Sequence, residues 1–186
     1  MITSTAITSA TGASTIPAPA NLDADLDANL EVTPMGQPFG SESPRAIALF
    51  HLAFPVANLA QTKAFYIDGL GCTAGREGPN SLILNCYGNQ IVAHVSPGAC
   101  QPQKGIYPRH FGLVFAALAD WQTLIDRAEA KQLTFEQPPR RRFPGEQLEH
   151  YTAFLADPFH NLLEFKHYVH PEAIFGAVDD QRVGDR

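Results

Sequence analysis

Two stretches of this chain repeat one order of apolar and polar positions. Ile47 to Val56 is an apolar run carrying Pro55 near its end, the pattern of a buried strand with His51 in its middle. Asn58 then offers a helix N-cap, and Leu59, Thr62, Lys63, Phe65 and Tyr66 lead into Asp68-Gly69-Leu70-Gly71, where the glycines stop the helix. After a Gly/Pro/Asn stretch from Gly75 to Asn80, residues 81–86 and 90–95 read as two strands joined at Tyr87-Gly88-Asn89. The order then starts again. HFGLVFAALA, from His110, lies over HLAFPVANLA, from His51, without a gap. A helix follows from Asp120 to about Lys131, with Trp121, Leu124, Ile125 and Ala128 on one face. A short strand at Leu133 to Glu136, a loop from Pro138 to Gly145, and a hairpin of residues 151–155 and 162–168 around Asp157 to Asn161 complete the second unit. The pattern predicts an α+β domain of two strand-helix-strand-strand-strand units over residues 45–170, with modules at about 45–98 and 106–170. The second strand of the first unit is weak in sequence.

The flanks carry no such pattern. Residues 1–44 are rich in Ala, Thr, Ser, Pro and Asp, with too little apolar surface to offset the entropy of ordering, and read as a disordered tail. Residues 171–186 read as a polar tail that frays.

Composition narrows the class. The chain has 186 residues and 45% hydrophobic content, enough for one domain with a core. Its net charge of −6 is concentrated in the leading tail, where Asp23, Asp25, Asp27, Glu31 and Glu42 precede the first basic residue, Arg45. The only basic cluster is Arg140, Arg141 and Arg142, too small for a nucleic-acid footprint, so no nucleic-acid partner is expected. Cys72, Cys86 and Cys100 form no CxxC pair, which suits a reducing compartment. There is no signal-peptide pattern and no run long enough to cross a bilayer, so no membrane partner is expected and a cytoplasmic location is.

Three polar residues interrupt the apolar strands at near-equal intervals: His51, His110 and Glu164. Two imidazoles and a carboxylate from three strands suit one face of a divalent ion, leaving the opposite face open to substrate, water or oxygen. Strand alternation puts Gln90, Val92 and His94 on one side of their sheet.

AFPVANLAQTKAFYIDGLGC, HFGLVF and FLADPFHNLLEFKHY together resemble the vicinal oxygen chelate superfamily of glyoxalases, extradiol dioxygenases and bleomycin-resistance proteins. The resemblance covers about residues 46–168 and rests most on the FYxxxLG helix end and the DPxxNxxE hairpin. It implies paired βαβββ modules forming a curved, cleft-bearing mixed sheet, with His51, His110 and Glu164 as metal ligands. A glyoxalase-type lyase or isomerase adds a fourth ligand from the strand of Gln90 and uses Glu164 as base, with Ni(II) or Zn(II). An extradiol dioxygenase uses only the three ligands with Fe(II), an acid/base histidine matched by His94, and a substrate-holding tyrosine matched by Tyr151, with His150 beside it. The resemblance favours ring cleavage and Fe(II), with Ni(II), Mn(II) and Zn(II) as alternatives; a ligand-binding protein of the resistance type is the non-enzymatic option. It also implies a homodimer, although all three ligands lie in one chain and a single domain is expected to be able to complete the site. His160, His167 and His170 read as solvated, and Arg140 to Arg142 as a solvated loop or an anion-holding lid.

Overall fold

The computed structural model describes residues 48–184. The leading tail read at 1–44 lies outside them. In the first module, β1 (His51–Val56) is followed by α1 (Leu59–Lys63), a wider helical turn (Ala64–Gly69), β2 (Thr73–Gly78), β3 (Ser81–Cys86) and β4 (Asn89–Val95). In the second, β5 (Phe111–Val114) is followed by α2 (Leu118–Ala130), β6 (Phe135–Arg142), β7 (His150–Ala156) and β8 (Leu162–Tyr168). Each module forms a four-stranded mixed sheet of the same topology, β1-β4-β3-β2 and β5-β8-β7-β6, with the first strand parallel to the fourth and the other pairs antiparallel. This is the α+β arrangement of paired βαβββ modules that the repeat predicts.

Local chemistry sets the boundaries. The Asn58 side chain accepts from the Gln61 amide and so satisfies one of the orphan donors at the start of α1. Gly71, with φ of 83°, turns the chain out of the helical segment into β2. One face of each sheet is buried with the helices in a core shared by the modules, built from Phe54, Tyr66 and Leu84 of the first and Trp121, Leu124 and Phe165 of the second. The Trp121 indole N–H donates to the Phe165 carbonyl at 2.9 Å, so a polar group inside that core is satisfied.

The DPxxN turn locks the two modules together. Asp157 Oδ1 accepts from the Phe159 and Asn161 amides, and its Oδ2 accepts from the Asn161 side chain and from the hydroxyl of fully buried Tyr66. Asn161 Nδ2 also donates to the Pro55 carbonyl of β1 at 2.9 Å. Burial pushes the Asp157 carboxyl above its ordinary range, against the pull of these donors. Burial, then the neighbouring carboxylate, raises the Tyr66 phenol.

Several segments differ from the reading of the sequence. Gly75 to Gly78 belong to β2, which pairs with β3 through an irregular register between Ala74 and Glu77, where glycines and a bulge conceal the strand in sequence. Residues 138–142, read as loop, continue β6; this is an edge strand, where Pro138 and Pro139 are tolerated because their missing N–H groups leave no central ladder bond unmade. The three arginines are therefore carried on a strand, not on a mobile lid. His51 opens β1 instead of sitting in its middle. The stretch after Tyr168 does not simply fray: Pro171–Ile174 forms a 3-10 turn with Ala173 buried, and the chain continues over the second sheet to Gly184.

Candidate functional site

The chemistry-bearing residues lie on the sheet faces that point away from the shared core. On β8, Glu164, Lys166 and Tyr168 recur at a period of two, and on β7 His150, Thr152 and Phe154 do the same. His110, just before β5, completes this face. His110 Nε2 lies 3.3 Å from Glu164 Oε2. Glu164 Oε1 accepts from the Thr152 hydroxyl at 2.8 Å and from Lys166 Nζ at 3.1 Å. The two strands meet closely because position 112 is glycine: a Cβ there would run into the Glu164 backbone carbonyl.

The orientation of His110 follows from hydrogen-bond chemistry. Its Nδ1 lies 2.9 Å from the Ile106 carbonyl, which only accepts, so Nδ1 carries the proton. In the neutral ring Nε2 then presents a lone pair toward a carboxylate oxygen, and two acceptors face one another. Only a proton or a cation reconciles them. The pair thus fits one side of a metal site, with Thr152 fixing the carboxylate and Ile106 fixing the tautomer.

His51 repeats the device on the other module. Its Nδ1 lies 2.8 Å from Gln90 Oε1, its partner in the β1–β4 register, so this ring too presents Nε2. Gln90 consequently orients His51, and its carbonyl oxygen is not directed as a fourth ligand. His94, exposed, shares that face with His51 and Gln90, as strand alternation predicts. Within one chain the two faces do not converge: among the described residues no three His, Cys, Asp or Glu side chains are grouped closely enough to hold a metal ion. The expectation that one domain brings its three ligands together is corrected here. His110 and Glu164 meet, and His51 stands apart with Gln90.

Tyr151 points to the opposite side of β7. Its ring packs 5.5 Å from Trp121 and 6.3 Å from His167 on the helix-facing side, which removes it from the face of Glu164. Its neighbour His150 occupies that face instead. It is 6% exposed, donates from Nδ1 to the Leu148 carbonyl at 2.7 Å, and stacks 4.9 Å from Tyr168. Burial is the main cause that lowers its pKa, which favours the neutral ring. His167, read as solvated, donates to the Phe115 carbonyl at 3.1 Å. His160 is exposed as expected, in a turn with φ of 69°; His170 lies near Glu172.

The groups on the Glu164 face line a cavity of about 320 Å³, among them His110, Glu164, Lys166, His150, Arg142 and Tyr107. A larger depression of about 500 Å³ beside Tyr87, Val114 and Asp120 holds no comparable set of groups, and the chemistry places the site in the smaller one. The residues that the sequence reading passed over are Thr152 and Lys166; both lie two positions from a marked neighbour, and period-two counting from Glu164 finds Lys166.

Two mixed βαβββ sheets with histidines at matching places and a carboxylate on the closing strand define a paired-module protein with polar, outward-facing sheets. The chain belongs to the glyoxalase/bleomycin resistance protein/dioxygenase superfamily, whose family model matches residues 48–165. A glyoxalase/bleomycin resistance protein/dioxygenase from Alicyclobacillus acidocaldarius is similar, at 36% identity and a TM-score of 0.65, covering 73% of this chain and 100% of that one. The fosfomycin resistance protein FosX from Listeria monocytogenes shares the fold at 17% identity and a TM-score of 0.54, over 68% of this chain and 97% of that one. No curated protein matches significantly. No described helix is long and apolar enough to cross a membrane.

Proposed function

We propose that the protein is a metal-dependent enzyme that chelates two neighbouring oxygens of a small substrate, in the manner of an extradiol ring-cleaving dioxygenase, at a site shared by two copies of the chain. In this reading His110 and Glu164 of one copy and His51 of the other hold the ion. The observation that carries it is the matched pinning of both imidazoles: each Nδ1 proton is spent on an oxygen, so each Nε2 is offered to a cation. The separation of His51 from His110 and Glu164 within one chain supports a homodimer as the complete unit. A divalent ion there, Fe(II) in preference to Mn(II), Ni(II) or Zn(II), supplies Lewis-acid polarisation of the substrate oxygens.

The chain's own residues do the rest. Gln90 and the Ile106 carbonyl hold the two tautomers. Thr152 fixes Glu164, and Lys166 balances its charge until substrate binds. His94, on the face of His51, is the imidazole placed to move a proton. The glyoxalase-type alternative ranks lower because it needs Gln90 as a ligand, and the amide oxygen is engaged with His51.

Reconstitution with Fe(II) without oxygen, followed by elemental analysis and oxygen uptake with a panel of catechols, tests the reading. We expect one ion per chain, loss of the ion in His110→Ala and Glu164→Ala, and oxygen uptake slowed roughly a hundredfold in His94→Ala, the usual scale for a missing acid/base group. Equally little metal in wild type and variants, across Fe(II), Mn(II), Ni(II) and Zn(II), contradicts it. Turnover of a hemithioacetal under Ni(II), with no catechol consumed under Fe(II), moves the assignment to the lyase.

A further inference from the structure

The family model matches residues 48–165, and the segment that follows lies on the site. Ala173, Ile174, Gly176, Ala177, Asp180 and Val183 line the same cavity as His110 and Glu164. The segment is held in place at its far end by Arg182, which pairs with Glu146 at 2.8 Å in the β6–β7 loop and with Asp180 at 2.6 Å in the segment itself. The Arg182 guanidinium lies over the Phe143 ring at 4.5 Å from its centroid, and that of Arg142 lies over the same ring at 4.7 Å. Arg142 Nη2 also donates to the Gly184 carbonyl at 3.4 Å, and Gly184 abuts the Tyr107 hydroxyl so closely that no Cβ fits. At its near end, Ala173 is buried. Both ends are therefore tied to the second module.

We propose that residues 169–184 form a fixed wall of the substrate pocket and limit it to compact substrates of about one ring, excluding bulky thiol conjugates and two-ring catechols. The limit rests on the functional reading above; the wall itself does not. The half of the pocket that this chain contributes under the segment, about 320 Å³, is at the low end of the roughly 300–1,000 Å³ typical of small-molecule sites. Its lining includes the rings of Tyr107, Phe154 and Tyr168 and the cations Arg142 and Lys166, which suit a flat molecule carrying negative charge. A wall also keeps water from the reacting oxygens. His150, 6% exposed in the same cavity, reports on its closure.

Two variants open the wall: Arg182→Ala, which removes the clasp, and a chain ending at His170. Diethylpyrocarbonate labelling of the metal-free wild type and variants, read peptide by peptide by mass spectrometry, measures His150, with the peptides of exposed His160 as internal standards. Labelling of His150 at least tenfold faster in either variant, with the standards unchanged, supports the wall; equal rates in all three proteins overturn it. Binding of 4-nitrocatechol and of 2,3-dihydroxybiphenyl to the Mn(II)-loaded proteins then tests the limit. Wild type is expected to bind the first at least tenfold more tightly, and the variants to bind both alike. Wild type that takes the two-ring catechol equally well overturns the size limit. If no protein retains metal, the functional reading fails and the size limit with it, while the labelling still decides the wall.

Discussion

At the scale of single residues, the protein's chemistry depends on which atom of each polar group is already spent. His110 and His51 are legible as candidate ligands from sequence because they interrupt apolar strands at matching places in a repeat. Their tautomers are not, since the oxygens that fix them, the Ile106 carbonyl and Gln90 Oε1, are known only from three-dimensional neighbours. Tyr151 and His150 show the same limit differently. Adjacent strand residues point to opposite faces, and an unbroken apolar context gives no sign of which face is the cleft. The Asp157 network, by contrast, is a sequence motif whose function is structural. Asp157→Ala leaves the buried Tyr66 hydroxyl and two amides without acceptors and is expected to cost about 3 kcal/mol in urea unfolding. His150 predicts a pH dependence. Its folded pKa is lowered, so its contribution to stability is present above the unfolded value of 6.5 and is lost as the pH falls through the folded value. Unfolding free energy measured from pH 8 to pH 5 should therefore drop more steeply below about 6.5 in wild type than in His150→Gln.

The elements most legible in sequence are those whose periodicity and caps agree. α2 carries its buried face at helical spacing, and the β3–β4 and β7–β8 hairpins lie between recognisable turns. β2 and the end of β6 are hidden because edge strands accept the glycines, prolines and charges that signal loops elsewhere. The short β5 has a requirement that its composition does not announce. Gly112 lets it lie against β8 so that His110 reaches Glu164, whereas the equivalent place in β1 is Ala53. Gly112→Ala is expected to lose about 3 kcal/mol or more of stability and to part the His110–Glu164 pair, because the new methyl meets a backbone carbonyl that cannot step aside. Thermal unfolding and metal content of the same sample check both effects; unchanged values for each would show that the two strands have slack.

At the scale of the molecule, the chain buries one face of each sheet in a shared core and turns the ligand-bearing faces outward. His110 with Glu164, and His51 with Gln90, lie on separate faces of the same chain. Under the proposed function, a second copy brings its His51 to the His110–Glu164 pair. Complementation between His51→Ala and His110→Ala proteins, unfolded together, refolded as a mixture, and assayed for bound Fe(II), tests this most directly. Each variant alone should bind almost none. In the mixture, half of the dimers join one chain of each kind, and one of their two sites regains both histidines and the glutamate. The account predicts recovery of about a quarter of the wild-type metal; a mixture that binds no more than the separate variants would contradict it.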